Sequence, residues 1–410
     1  MRPLAEAQRH VIGAVGRLPA IEVPLAESAG LVLAAEVHAP HDIPPFANSA
    51  MDGYAVLAAD LIELPALLEV LEDVAAGSVP SRAVGRGQAI KIMTGAPMPA
   101  GADTVVQVEH TDGGSDRVAI SVATEAGTAV RPAGSDLAAG SLVLDTGTRL
   151  GPAHLATLAS IGEAQPRVYR RPRVAVFSTG DELRPYETPQ LAPGQIRDTN
   201  RLLIQESLRE LGAEVLDLGI IGDDPDQLRA VLADAAERAD AVTTSGGVSM
   251  GEYDLVKEVL SELGGVEFWQ VAIQPAKPFA FGSIAGTPFF GLPGNPVSVF
   301  VAYEQFLRPA LLHMMGSPRL FRPRIEGILD EPVDTNPEKT VFLRVGIAWH
   351  NGDAHARLSG GQGSHVLSAL ASADALAVVP AGVASINAGE PVVLEMFRWP
   401  EERRLDELEA

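Results

Sequence analysis

The chain contains no cysteine, which excludes disulfides, thiolate nucleophiles and cysteine-held zinc or iron–sulfur centres. Basic residues are also scarce: 31 Lys and Arg against 53 Asp and Glu give a formal net charge of −22. No Lys/Arg cluster stands out, so the electrostatic footprint for gripping a nucleic-acid backbone is missing, and a small anion would need a local positive site. No run of about 18 uninterrupted apolar residues occurs, so no membrane-spanning helix is expected. The N-terminal stretch MRPLAEAQRHVIGAVGRLPA is interrupted by Arg9, His10 and Arg17. It therefore lacks the apolar centre of a secretory signal and reads as an amphipathic helix, and the protein is expected to be cytoplasmic. Several catalytic signatures are absent as well. There is no GxGxxG after a strand, no GxxxxGK(S/T), no GxSxG elbow and no HExxH. The histidines, among them His38, His41, His350 and His355, have no metal-ligand spacing and read as surface or turn residues.

What is present is a globular composition, 46% hydrophobic and 20% charged, over 410 residues. That length predicts two to four domains rather than one core. From about residue 172 to 315 strand-like and helix-like segments alternate: RVAVFS, TNRLLIQESLRELG, EVLDLGI, DPDQLRAVLADAAERA, DAVTTSGG. The pattern implies βαβ units and a parallel sheet covered on both faces. Asp224 before Pro225 reads as a helix cap, and Gly212 sits where a helix-ending glycine belongs. Residues 41–136 are rich in Gly, Pro and short β-like runs (AIKIM, TVVQVEH, RVAISV), as an inserted small β domain would be. Residues 1–40 and 137–171 carry helical segments, including GPAHLATLASIG, and are expected to meet as one discontinuous domain. Residues 172–320 form the α/β domain. The tail, 321–410, returns to strands (RIEGIL, TVFLRVGIAW, PVVLEMF) and predicts a β-barrel or sandwich.

Ligands of open parallel sheets bind beyond the carboxyl ends of the strands. Three glycine-bearing loops leave such ends: STGDEL (178–183), TSGGVSMGEYD (244–254) and GLPGNP (291–296). In the last, Asn295 reads as an N-cap and Pro296 as the first helical residue. Small residues let backbone N–H groups approach a phosphate, so the three loops predict an anion-binding edge. Any one of them alone is more often only a turn. Acidic residues gather in loops too: Asp52 in SAMDGYA, Asp136 in RPAGSD, Glu182, Asp223, Asp224 and Asp254. Hard cations such as Mg2+ prefer such oxygen ligands beside substrate phosphates, although Asp also caps helices and turns.

The stretches PPFANSAMDGYAV, IMTGAPMPAGADTVV, RPAGSD, FSTGDEL, DTN, GDDP, TSGGVSMGEYD, FWQVAIQPAKPFAFG, GLPGNPVSVF and GSHVLSALASADAL, in that order along residues 44–376, resemble the MoeA family of molybdopterin molybdenumtransferases, which includes the gephyrin E domain. The resemblance implies a multidomain α/β fold with a molybdopterin-binding parallel-sheet domain, an inserted small β domain, a helical linker domain and a C-terminal β-barrel. It implies the last step of molybdenum cofactor synthesis, in which adenylylated molybdopterin is cleaved, AMP leaves and molybdate supplies the metal. It further implies Mg2+ and a homodimer whose site is shared between subunits, with Asp52, Thr94 and Asp136 acting across the interface. Carried over by motif, Asp52, Asp136, Glu182 and Asp254 are the catalytic candidates. Thr94, Ser245, Gly246, Gly247, Ser249, Lys277, Pro293, Pro296, Arg344 and Ser364 are the substrate-binding candidates. Asp223 and Asp254 would hold Mg2+, and Lys277 and Arg344 would face the oxyanion.

The chain departs from the family at three positions. Gln274 stands where a lysine is common, Ala276 where a turn glycine is common, and Gln270 where some relatives carry lysine. These changes bear on the oxyanion site more than on the phosphate site, and tungstate shares the charge and nearly the size of molybdate. Two other readings are a molybdopterin adenylyltransferase and a non-catalytic dimeric binding or scaffold protein. The extra β domains and the GLPGNPVS corner weigh against the first, and the retained carboxylates against the second.

Overall fold

Hydrophobic runs with buried neighbours on both sides become the central strands of the computed structural model, which describes residues 1–222, 224–247, 259–260, 262 and 265–399. The chain divides into two compact units: 22–29 with 33–167, and 1–21 with 30–32 and everything from 168 onward.

The second of these units opens with helix α1 (Leu4–Ala14), which buries Ala7 and Val11 one helical turn apart, as an amphipathic N-terminal helix should. The other unit is built on a five-stranded sheet of β1 (Gly53–Val56), β2 (Ala66–Val74), β3 (Gln88–Ile92), β4 (Thr104–Gln107) and β5 (Arg117–Ile120), ordered β4-β1-β3-β2-β5. Alternate residues feed two apolar clusters. Tyr54, Val56, Val106 and Ile120 lie in one, while Ala55, Ile90, Ile92 and Val105 lie in the other. Around this sheet, 37–38 pairs with 142–144 and 48–49 pairs with 130–131. Helix α2 (Pro152–Ser160) starts with proline at its first position.

In the unit that holds α1, strand β6 (Arg173–Thr179), helix α3 (Thr199–Leu211), strand β7 (Glu214–Ile221), helix α4 (Pro225–Arg238) and strand β8 (Ala241–Ser245) realise the alternation. They are followed by β9 (Val266–Gln270), β10 (Pro278–Ile284) and β11 (Thr287–Leu292), giving the order β7-β6-β8-β11-β10-β9. β7, β6, β8 and β11 are parallel neighbours, whereas β10 runs antiparallel to both β11 and β9. The links between β9, β10 and β11 are too short for a parallel crossover, which needs a dozen or more residues. The helix punctuation is as read: the Asp224 side chain accepts from the backbone of Asp226 and Gln227, and Gly212 closes α3 in the left-handed region at φ 95°.

After the corner at 293–296 the chain forms α5 (Pro296–Ala302), a π-helical turn at Tyr303–Leu307 and α6 (Arg308–Met314), all deeply buried. β12 (Arg324–Leu329), β13 (Thr340–His350), β14 (Asp353–Leu358), β15 (Ala375–Val379) and β16 (Pro391–Met396) follow. β13 pairs with β14, β14 with β12, β12 with β16, β16 with β15, and β15 again with β13. The ring is a closed five-stranded barrel without a free edge, and its tightest turn is Asn351-Gly352, both at positive φ as that hairpin type demands. His350 and His355 lie in the barrel strands β13 and β14 rather than in a turn, and His355 Nδ1 lies 2.7 Å from Asp330 Oδ1.

Gly53 in β1 has no room for a side chain, since a Cβ there would stand 1.9 Å from the Val106 carbonyl oxygen. Gly53→Ala must push β1 from β4 and should lower stability by about 1–3 kcal/mol, the usual cost of overpacking. Denaturant unfolding of the purified variant measures this, and an unchanged midpoint would contradict it.

Candidate functional site

The loops predicted to form an anion-binding edge do leave the carboxyl ends of three adjacent parallel strands, β6, β8 and β11. After β6 the chain passes Gly180, at φ 140°, and the exposed Glu182 side chain folds back over it: a Cβ on Gly180 would lie 2.5 Å from Glu182 Oε2. After β8 come Ser245, buried, and Gly246 and Gly247, both at positive φ. Gly246 N–H donates to the Leu292 carbonyl at 3.1 Å, which ties this loop to the end of β11.

The corner after β11 has a buried Pro293 and places Pro296 at the first position of α5. Asn295 occupies the N-cap position but makes no side-chain capping bond. One reason is that the Val297 N–H is already taken by the Ser364 carbonyl, 3.1 Å away. Ser364 thus reaches the corner through its backbone, from a loop held by Arg344. The Arg344 guanidinium is 1% exposed and donates to the carbonyls of Gly361 at 3.1 Å and Gly363 at 3.2 Å. Gln362 closes the same loop by pairing its amide with the Arg344 backbone at both N–H and C=O. Arg344 has no carboxylate partner among the described residues, its Nε is unpartnered, and burial pulls its pKa down to about 10. It is a cation in a dry site, neutralised only by carbonyl dipoles.

Lys277 is exposed at the end of the turn between β9 and β10, and Gln274 in the same turn is exposed too. Ala276, buried, sits at φ 72°. Gln270 is half-buried in β9, and its carbonyl accepts from Arg2 N at 2.7 Å.

In the other unit Asp52 and Thr94 come together. Asp52 Oδ1 accepts from the Thr94 backbone N–H at 2.6 Å and from its hydroxyl at 2.7 Å. These two bonds, the backbone one first, hold the Asp52 carboxyl below the ordinary aspartate range. Asp136 is exposed on the 132–136 turn, whose stem at 130–131 pairs with 48–49 just ahead of Asp52. No hydrogen bond joins the Asp136 side chain to Asp52 or Thr94. Asp42 supports that turn, accepting from Ala139 N at 2.8 Å and packing under Gly134.

Asp223, Ser249 and Asp254 lie outside the described residues. Among the described residues no group of three or more His, Asp or Glu is placed to hold a metal ion.

Several residues at the three-loop edge were not singled out from sequence. Asp198, 2% exposed, caps α3, accepts from Ser178 Oγ at 3.1 Å and from Arg201 N and Nε at 3.1 and 2.9 Å, and so bolts the end of β6 to the helix. Asn200, two residues on, donates through Nδ2 to Ser245 Oγ and to the Gly294 carbonyl. An Asp directly before a helical run is an N-cap signature and could have marked Asp198; nothing in spacing marks Asn200.

The Asp52 pair predicts a pH effect with a definite sign. A carboxylate whose pKa is depressed in the fold adds stability above its unfolded pKa of about 3.9, and that contribution is lost as pH falls through the lower folded value. Thr94→Val removes the hydroxyl bond while keeping the backbone one, so the Asp52 pKa should rise part of the way toward the ordinary value. Carbon-detected NMR titration of the Asp52 carboxyl reads this, and an unmoved midpoint would contradict it.

Comparison with known families matches residues 2–162 to the MoeA N-terminal region (domain I and II), 175–313 to a probable molybdopterin binding domain, and 326–397 to the MoeA C-terminal region (domain IV). A protein named molybdopterin molybdenumtransferase 2 from Mycobacterium tuberculosis is 41% identical over 95% of this chain and 98% of its own length. A molybdopterin molybdenumtransferase from Haemophilus influenzae is 37% identical over 91% and 93% of the two chains. The solved structure of a molybdopterin biosynthesis MoeA protein from Pyrococcus horikoshii, 34% identical, covers 97% of this chain and 99% of its own with a TM-score of 0.81. Similarity of this level along the whole length, through three successive regions in the family's order, makes the chain a member of the MoeA family.

Proposed function

We propose that the chain is a molybdopterin molybdotransferase that inserts molybdenum into adenylylated molybdopterin and releases AMP. The observation that carries this reading is the convergence of three glycine-bearing loops at one edge of the parallel strands, in a chain similar along its length to proteins named molybdopterin molybdenumtransferase.

Cleaving a phosphate anhydride requires positioning and neutralisation of charge more than covalent help from the protein. The backbone N–H groups around Gly246, Gly247 and the 293–296 corner would bind and orient phosphate oxygens, with Ser245 at the same edge; Ser249, outside the described residues, is proposed to assist by motif. Lys277, exposed and in no ion pair among the described residues, is a cation able to meet molybdate. Arg344 and Ser364 would shape the oxyanion pocket from the barrel side. Asp52, kept ionised by Thr94, is suited to act as a fixed negative charge and hydrogen-bond acceptor that orients groups at the reacting centre at physiological pH. Asp136, Glu182 and Asp254 complete the proposed catalytic carboxylates. Mg2+ on Asp223 and Asp254, when bound, would offset the negative charge of the phosphates.

The same reading includes a cytoplasmic homodimer in which Asp52, Thr94 and Asp136 serve the partner's site. It also includes the division into 1–40 with 137–171, 41–136, 172–320 and 321–410. No helix among the described residues is long and apolar enough to cross a membrane.

Incubating the purified protein with adenylylated molybdopterin and Mg2+, with molybdate, tungstate or neither, tests the proposal. AMP release that depends on an oxyanion, with metal retained in the product, is expected. Release in none of the three would overturn it and favour a scaffold role. Asp52→Ala should abolish release with the fold intact, and Gln274→Lys should tighten molybdate binding by restoring a charge beside Lys277. An unchanged binding isotherm for the second variant would remove this account of Gln274.

A further inference from the structure

Asn200 does something none of the roles above requires. Its Nδ2 donates to Ser245 Oγ at 2.8 Å and to the Gly294 carbonyl at 2.6 Å. A carboxamide nitrogen has two hydrogens, so both are engaged, and they reach two different loops, one leaving β8 and one leaving β11. The Gly294 carbonyl can only accept, which settles which end of the amide is nitrogen. The other end is badly placed: Asn200 Oδ1 is buried and has no partner. A buried acceptor left unpaired is unfavourable, so the side chain is held in this orientation by its two donated bonds and by its backbone, not by comfort at the oxygen.

The backbone is itself fixed. Asp198, two residues earlier, is bound to Ser178 at the end of β6 and to Arg201 within α3. The Gly246 N–H bond to Leu292 joins the same two loops through their backbones, while Asn200 adds a side-chain link between Ser245, at the end of β8, and Gly294, two residues past β11. Residues 198–200 therefore connect all three loops of the edge, and one side-chain amide links the second and third beside the Gly246–Leu292 backbone bond.

We propose that Asn200 is a positioning residue that sets the separation between the 245–247 loop and the 293–296 corner, and with it the fit of the phosphate-bearing substrate between them. The nature of the ligand rests on the molybdotransferase reading; the separation does not.

Asn200→Asp keeps the shape but replaces both donors by acceptors facing a carbonyl, and Asn200→Ala removes the donors without repulsion. Calorimetry with AMP as the probe should show binding weakened about tenfold in the alanine variant, equivalent to about 1.4 kcal/mol, and further in the aspartate variant. Turnover should show KM raised with kcat within about threefold of the parent, the pattern of lost ground-state positioning. Amide hydrogen exchange should quicken in peptides covering 241–247 and 291–296. A residue serving only general stability would lower the melting temperature and leave AMP affinity and the KM-to-kcat split of the folded protein unchanged. That result, or unchanged exchange in both loops, overturns the proposal.

Should both variants fail to fold, Ser245→Ala removes one of the two acceptors. Faster exchange in 241–247 but not in 291–296, with a smaller loss of AMP affinity, is then expected, and no change in either overturns the proposal. A parent protein that releases no AMP from adenylylated molybdopterin defeats the functional reading alone, because the exchange comparison still decides the separation. Normal release with parental exchange in the variants defeats the separation alone.

Discussion

Asp198 lies at the head of α3 with its side chain out of contact with solvent, and a carboxylate that deep is tolerated only when its oxygens are bonded. Here they are: to the Ser178 hydroxyl from the last turn of β6, to the Arg201 backbone as a helix cap, and to the Arg201 guanidinium, which also grips Asp217 on β7. One group thus satisfies the helix start and fixes its register on two strands. Everything at the functional edge hangs from that register. A turn's rotation of α3 would carry Asn200 away from Ser245 and Gly294, and the loops after β8 and β11 would lose their side-chain link. The parallel pairing of β6, β8 and β11 brings the loops to one edge; the buried carboxylate fixes the helix start that carries Asn200 to them.

The charge distribution follows a related logic. A protein of net charge −22 repels phosphates and oxyanions at long range, so attraction must come from groups presented at close range. Several arginines of the unit are already matched: Arg201 by two aspartates, Arg170 by Asp240 and Arg322 by the buried Glu304. Arg344 differs in being buried among carbonyls with no acid beside it among the described residues, and its charge is correspondingly less screened. Lys277, at the surface, has no acidic neighbour in an ion pair either. Arg344 and Lys277 thus carry positive charge that no ion pair among the described residues offsets, a local field that the net charge does not reveal.

What could be read from the amino-acid order was punctuation and motif. Asp224-Pro225 and Gly212 mark helix ends by mechanisms that act within a few residues, and the structure has both. The amphipathic N-terminal helix and the strand-to-helix corner at Pro296 were legible for the same reason. The antiparallel edge of β9 and β10 was not, because its strands are as apolar as the parallel ones and only the shortness of the connections betrays them. The bond between Ser178 and Asp198 was not legible, although both residues stand in quoted stretches, because the whole 180–197 excursion lies between them and the bond is tertiary. Asn295 shows the opposite failure: the residue type fits a cap, but the donor that needs capping is satisfied by the Ser364 carbonyl from across the fold. Asp52 and Thr94 are far apart in sequence and were coupled only by resemblance, since the hydrogen bonds between them depend on how β1 and β3 pair.

The turn carrying Gln274, Ala276 and Lys277 shows how a site can lose residues its family favours and keep its frame. Ala276 sits at φ 72°, where a glycine is at ease and a Cβ costs about 1–2 kcal/mol. That strain persists because both ends of the turn are anchored. Val271 N–H donates to the Lys277 carbonyl at 2.8 Å, closing its base, while Ile273 and Gln274 pair with Thr340 and Val341 at the start of β13. Two sheets therefore dictate the path of the turn, and the residue at 276 must follow it. Lys277 is consequently presented at a point fixed by strand pairing and not by the turn's own preference. Replacing a lysine by Gln274 subtracts a charge from that point without moving it. The change then acts through Coulomb attraction alone, strongly on an oxyanion held nearby and weakly on phosphates bound at the other end of the edge.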